Sequence, residues 1–265
     1  MRLLKNLSIE VGKIKSRLNA TAGREVFTEY PADFEPFTIK LIEAVGAYTM
    51  TSRERIHGLE QAVRYVVRGA IEGAFVECGV WRGGSMMAMA LTLLDAGAAA
   101  RELFLCDTYE GMPEPGAEDV GVTGKSALPT WKKRMVDGES QWCRAELDEV
   151  RANLASTGYD EGRTHFLKGR VQDSLPNDDI GPIAILRLDT DWYESTKWEL
   201  EQLYPALVVG GVLIIDDYGR WRGCRQAVDK YFEAHDINML LGRVDSYARM
   251  GIKTQFSHQR RHISR

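Results

Sequence analysis

The sequence predicts an α/β fold, in which a mostly parallel sheet carries helices on both faces and follows a helical N-terminal segment. Three observations carry that reading. Short apolar runs at 74–78, 103–106, 165–167, 183–188 and 212–215 alternate with helix-period stretches at 85–94, 145–155, 195–204 and 222–234. A glycine turn joins the first run to the first of those stretches. Aspartates follow three of the runs, at 107, 189 and 216–217. Those are the strand ends where an open parallel sheet gathers its ligands.

The elements follow in chain order. The first two dozen residues carry Arg2, Lys5, Lys13, Lys15, Arg17 and Arg24 against Glu10 alone. They read as a solvated arm, with contact to a membrane surface as the secondary reading. Towards residue 70 the pattern is helical. Ile56, Leu59, Val63 and Val66/Val67 recur at helical spacing, and Ser52 is placed to cap their helix. Residues 71–255 hold the alternating pattern. Within them, 110–142 is rich in Gly, Pro and acidic residues and shows neither period. A loop of that length in a compact domain is usually functional or mobile, and it reads as part of a substrate lid. Residues 256–265 form a basic tail. The expected division is therefore 1–70 (arm and lid helices), 71–255 (the sheet domain) and 256–265.

Bulk properties bound the function. With 265 residues, 44% of them hydrophobic, the chain can bury one large core. A net charge of −4 argues against a nucleic-acid partner. Cys78, Cys106, Cys143 and Cys224 are too scattered for a disulfide scaffold or a zinc pattern. Met1 to Lys5 is followed by polar residues rather than an apolar signal core, and no apolar run approaches the roughly 18 residues of a membrane span. A soluble, cytoplasmic protein is expected.

The glycine turn reads Phe75-Val76-Glu77-Cys78-Gly79-Val80-Trp81-Arg82-Gly83-Gly84-Ser85. Gly79 permits a sharp turn, and Gly83 and Gly84 permit close approach of a ligand to the backbone. Ser85 can cap the helix or meet a ligand carboxylate at its positive end. Arg82 is either a surface charge or a partner for a carboxylate. A dinucleotide site would show G-x-G-x-x-G, whereas this loop shows E-x-G-x-x-x-G. Glu77 suits a cationic group such as the ammonium of a methionine moiety, and Asp107 suits a ribose diol. The plainer alternative is a glycine turn that only packs a helix on a strand.

Asp189, Asp191, Asp216 and Asp217 end neighbouring runs, so their carboxylates can converge across strands about 4.8 Å apart. Such a cluster repels itself unless a cation or protons neutralise it. Oxygen ligands favour Mg²⁺ or Mn²⁺ over zinc. Helix capping is the competing role for each aspartate alone.

These residues also carry a family resemblance. Glu77 to Ser85 resembles the first motif of class I methyltransferases and is most similar to the macrocin and mycinamicin sugar O-methyltransferases, the TylF-like family. Asp107-Thr108-Tyr109-Glu110-Gly111-Met112-Pro113 resembles that family's D-x-x-x-G-x-P segment. The likeness continues through Leu186 to Asp191, Tyr204-Pro205, Gly210 to Tyr218 and Cys224 to Val228, and spans roughly residues 48–232. It implies a Rossmann-like class I methyltransferase sheet of seven mostly parallel strands and S-adenosylmethionine as cofactor. It also implies Asp189, Asp216 and Asp217 as ligands of Mg²⁺ or Mn²⁺.

Gly169-Arg170-Val171-Gln172-Asp173 resembles the adenine-contact turn of catechol O-methyltransferases. That places Val171 and Gln172 beside the adenine and Asp173 near its amino group, unless Asp173-Ser174 only caps a turn. Thr51 and Ser52 match the segment that closes over the cofactor in both families. The expected cofactor contacts are thus Thr51, Ser52, Glu77, Gly79, Trp81, Arg82, Gly83, Ser85, Asp107, Thr108, Val171, Gln172 and Asp173.

The implied reaction is in-line methyl transfer to a hydroxyl of a small molecule, with a glycosyl hydroxyl of a natural product as the family's usual acceptor. Asp191 is the first choice of base and Asp189 the second. Catechol O-methyltransferases have a lysine where this chain has Trp192, which argues against a catechol acceptor. A nicotinamide-dependent oxidoreductase and a non-catalytic nucleotide-binding protein are the alternatives on the same scaffold. Arms and lids of this fold often meet a second subunit, so a homo-oligomer is expected.

Overall fold

The computed structural model describes residues 30–254, so the basic stretches near both ends lie outside the described residues. Residues 30–35 belong to a first unit, in which the Phe34 N–H closes a turn on the Pro31 carbonyl (3.0 Å). The second unit starts at Pro36.

That second unit opens with α1 (Pro36–Val45) and α2 (Arg53–Arg68). The Ser52 hydroxyl accepts the Arg55 N–H, the cap expected from the sequence, and Ile56, Leu59, Val63 and Val66 are buried. The chain continues through β1 (Ala74–Cys78), α3 (Gly84–Asp95) and β2 (Leu103–Asp107). The insert that follows holds α4 (Leu128–Lys133) and a hairpin of β3 (Met135–Val136) and β4 (Glu139–Ser140). Next come α5 (Leu147–Ala155), β5 (Thr164–Lys168) and α6 (Val171–Ser174). Then β6 (Ile183–Leu188), α7 (Tyr193–Leu203), β7 (Leu207–Ile215) and α8 (Arg222–Ala234) complete the alternation. Two short strands, β8 (Gly242–Arg243) and β9 (Arg249–Ile252), end it.

Seven strands form one sheet in the order β5-β2-β1-β6-β7-β9-β8. The first five are mutually parallel, and β9 runs antiparallel to both neighbours. Every residue of β1 and β6 is buried, because helices cover both faces. Alternate residues serve the two cores. Phe75, Leu103, Leu105, Ile185 and Val212 pack with α2, α3 and α5, while Val76, Phe104, Leu186, Leu188 and Leu213 pack with α7 and α8. Strand order reverses between β1 and β6, which puts the ligand crevice at their carboxyl ends. Among the described residues no helix is long and apolar enough to cross a membrane.

Candidate active site

A cavity of about 530 Å³ opens at that reversal point, within the roughly 300–1,000 Å³ of small-molecule sites. Thr51, Ser52, Glu77, Gly79, Trp81, Ser85, Asp107, Thr108, Val171 and Gln172 line it, as expected from the sequence, together with Asp189, Asp191, Asp216 and Asp217. Three expected cofactor contacts do not. Arg82 turns outward, where its guanidinium donates to the Ala47 carbonyl (2.8 Å) and pairs with Glu149. Asp173 is exposed on α6. Gly83 packs instead against α5: at φ 85° it suits glycine, and a Cβ there would stand 2.8 Å from Leu154. Likewise a Cβ on Gly84 would meet the Tyr48 carbonyl. The paired glycines therefore admit neighbouring protein chain rather than a ligand, and only Gly79 fills the role expected of it.

Asp107 braces the loop from the next strand. One oxygen accepts the Val80 and Trp81 N–H groups (2.7 and 3.2 Å), and the other accepts the Tyr109 N–H (2.8 Å) and the Thr108 hydroxyl. Burial raises its pKa and those backbone bonds pull it back down. The glycine-loop half of the cavity is thus held together mainly by main-chain donors on one carboxylate.

The other half is held by charges. Arg187, fully buried in β6, donates to Glu77, to Asp189 (2.8 Å) and to Asp216 (2.7 Å). Its charge offsets the repulsion among acids on three strands. The second Asp216 oxygen is taken by Arg55 of α2, which also donates to Asp245 (2.7 Å). The Ser52 hydroxyl donates to that same Asp245 oxygen (2.9 Å). Glu77 keeps one oxygen that is buried without a hydrogen-bond partner. Burial drives the Glu77 carboxyl up to about 7 even against the pull of Arg187.

Carboxylate oxygens of Asp189, Asp191 and Asp217 all lie within 4.8 Å of one another. Oxygens about 2.1 Å from a common octahedral cation lie about 3–4 Å apart, so this set fits a hard divalent ion after a small closing movement. The sequence-based trio contained Asp216 in place of Asp191. The difference has a physical cause, since both Asp216 oxygens are engaged by guanidinium groups. Burial, reinforced by the neighbouring acids, raises the pKa of Asp189 and Asp217, and burial brings Asp191 up to about 6. None of the four caps a helix through its side chain: α7 and α8 start at Trp192 and Trp221 without side-chain caps.

Among the described residues no lysine or histidine lines the cavity. His57 of α2, Tyr193, Tyr218, Trp221 and Arg222 do not line it. Trp192 is buried and donates its ring N–H to the Pro113 carbonyl (3.0 Å). Sequence reasoning missed Arg55, Arg187 and Asp245. Arg187 had a visible signal, being a lone charge inside the otherwise apolar run Ile183–Leu188. Arg55 and Asp245 had none, because their partners are 161 and 190 residues away from Arg55.

The insert is fastened to the acid half. The Asp119 carboxylate accepts the Tyr193 N–H (2.8 Å), the Val120 carbonyl accepts the Arg222 N–H (2.9 Å), and Gly121 bridges to Trp221. Trp142, Trp192 and Trp221 pack edge to face with ring centres 5.0–6.3 Å apart. Met112, Pro113 and Trp142 of the insert reach the cavity wall.

Comparison with known proteins agrees with this geometry. A family model described as Macrocin-O-methyltransferase (TylF) matches residues 43–250. The 8-demethyl-8-(2,3-dimethoxy-alpha-L-rhamnosyl)-tetracenomycin-C 4'-O-methyltransferase of Streptomyces olivaceus is 37% identical over 199 residues, 75% of this chain and 73% of that protein. The demethyldecarbamoylnovobiocin O-methyltransferase of Streptomyces niveus is 34% identical over 192 residues, 72% of this chain and 70% of its own. The solved structure of the O-methyltransferase NovP is similar at a TM-score of 0.69 and 32% identity, covering 78% of this chain and 83% of that one.

Proposed function

The chain belongs to the macrocin O-methyltransferase (TylF) family of S-adenosylmethionine-dependent O-methyltransferases, and from that premise we propose that it methylates a hydroxyl of a small natural-product or sugar acceptor with the help of Mg²⁺ or Mn²⁺. Membership displaces the oxidoreductase and non-catalytic alternatives. The observation that supports the cation is the convergence of Asp189, Asp191 and Asp217 at the wall of the cavity that also holds Gly79 and Asp107.

S-adenosylmethionine supplies the methyl group, and the cation supplies charge that lowers the acceptor hydroxyl's pKa and fixes its approach. The residues divide the remaining work. Thr51, Ser52, Gly79, Trp81, Ser85, Asp107, Thr108, Val171 and Gln172 contact the cofactor, and the unpartnered Glu77 oxygen receives its ammonium. Asp189 and Asp217 would hold the cation, and Asp216, the third ligand that the resemblance implies, would join them on leaving Arg55. Asp191 takes the acceptor proton, because a carboxyl brought up to about 6 by burial is matched to proton transfer near neutral pH. Asp189 is the alternative base. Trp142, Met112 and Pro113 wall the acceptor's side, which is the lid role read for residues 110–142.

A panel of hydroxylated glycosides and aglycones, incubated with S-adenosylmethionine and read by mass spectrometry, tests this reading. A gain of one methyl on oxygen that disappears with chelator is expected. Methylation on nitrogen would sink the O-methyl assignment, and chelator-resistant turnover would sink the cation.

A further inference from the structure

Two parts of the cavity that share no strand, the 48–52 segment and the end of β7, are joined through the Arg55 side chain. The segment 48–52 lies over the glycine loop, where the Tyr48 carbonyl accepts the Gly84 N–H (3.0 Å), and Tyr48 to Ser52 line the cavity. It leads directly into α2, whose first turn carries Arg55. The Arg55 side chain is 12% exposed. Its Nε donates to Asp245, in the loop before β9, and its terminal nitrogen donates to Asp216, at the end of β7. Asp245 is itself pinned, because its other oxygen accepts the Tyr247 and Ala248 N–H groups (2.8 Å each). The guanidinium is therefore held at a fixed point rather than swinging in solvent.

This geometry has two consequences of opposite sign. The two-pronged bond, together with Ser52 on the same Asp245 oxygen, straps the cofactor cover across the cavity. The same guanidinium occupies an Asp216 oxygen and adds a positive charge beside the carboxylates that converge at 189, 191 and 217. A positive charge there opposes a cation, and an occupied oxygen withholds a ligand from it.

We infer that Arg55 is a positioning residue serving both sites at once: it holds the 48–52 cover shut on the cofactor and holds Asp216 back from the divalent cation. Replacing this one residue should therefore move cofactor affinity and cation affinity in opposite directions. The inference rests on the cofactor and cation sites proposed above.

Calorimetric titration of the full chain with S-adenosylmethionine, and electron-paramagnetic-resonance counting of free Mn²⁺, test it. In Arg55→Met the Kd for S-adenosylmethionine should rise about tenfold, the scale of one lost charge-assisted hydrogen bond. The Kd for Mn²⁺ should fall about tenfold, the scale of removing one nearby like charge. In Arg55→Lys a compact ammonium keeps the charge but not the fork. Its Mn²⁺ affinity should stay near the parent's while its cofactor affinity drops. A residue that merely supports the fold would weaken both ligands together in Arg55→Met. That result, or unchanged affinities, overturns the inference. If Arg55→Met does not fold, parent-like cofactor affinity in Arg55→Lys overturns it instead. A parent chain that binds neither ligand removes the underlying site assignment, and a parent that binds both leaves the variants to decide on Arg55.

Discussion

The two halves of the cavity reach order by different physical means. Around β1 and β2 the shape comes from main chain: one carboxylate, Asp107, gathers three backbone N–H groups, and glycines let neighbouring segments touch. Around β6 and β7 it comes from side-chain charge, with Arg187 and Arg55 set among Glu77, Asp189, Asp216 and Asp245. Main-chain order spreads its stability over many small bonds. Charge order concentrates it, so that losing one member strands the others in a poorly solvated site.

Four substitutions break or sharpen this contrast, in falling order of effect. Asp191→Asn should reduce methyl-transfer turnover about 10²–10⁴-fold while calorimetry shows nearly parental S-adenosylmethionine affinity. Parental turnover would remove Asp191 from the mechanism. Arg187→Met leaves buried acids without their cation and should cost about 3–5 kcal/mol in urea unfolding. A loss below about 1 kcal/mol would mean that the acids are neutralised by protons instead.

Glu199, buried on α7, has no charged partner, and burial lifts its pKa from 4.5 to about 8 against the pull of the nearby Thr190 hydroxyl. Between those values the folded chain keeps a proton that the unfolded chain has released. The stability from this group is full below pH 4.5 and lost as pH rises through about 8, with a steepest slope of about 1.4 kcal/mol per pH unit. Glu199→Gln cannot ionise, so its urea midpoint should decline less across that window, and matching profiles would show the carboxyl to be paired in solution. In the main-chain half, Gly83→Ala meets both the positive φ and Leu154, for about 1–3 kcal/mol of thermal destabilisation. Its Kd for S-adenosylmethionine should move little, because Gly83 does not line the cavity.

The same contrast decides what could be read from sequence. β1 and β6 match their expected limits, because strands buried on both faces are near-continuous apolar runs, here broken only by Glu77 and Arg187 and bounded by glycine, proline or aspartate. β7 was expected to begin at 212 and begins at Leu207. Gly210-Gly211 interrupt the apolar run, yet the strand passes through them with an irregular register against β6. β8 and β9 escaped notice, since their few residues include two arginines and two glycines, and β9 owes its strand form to pairing with distant β7 while β8 pairs with β9. In the insert, Asp137 and Gly138 both adopt positive φ between β3 and β4, so the Asp-Gly pair was a hairpin signal left unread. Aspartates at strand ends were legible because chain direction alone places them. The arginines that hold them depend on contacts between distant segments, and single-sequence periodicity does not encode those.

The insert's attachment has a consequence for how acceptor choice changes. Several of its ties to the sheet domain run through main-chain groups: the carbonyls of Pro113 and Val120 and the N–H of Tyr193 and Arg222. Backbone atoms are the same whatever residue bears them. The Met112 side chain, which faces the cavity, is therefore free to vary without unfastening the wall, whereas Trp142 also packs against Trp192 and Trp221. Provided Asp119 is kept, exchanging the segment for the corresponding stretch of a relative should re-shape this wall of the cavity while the glycine loop and the acids keep their places.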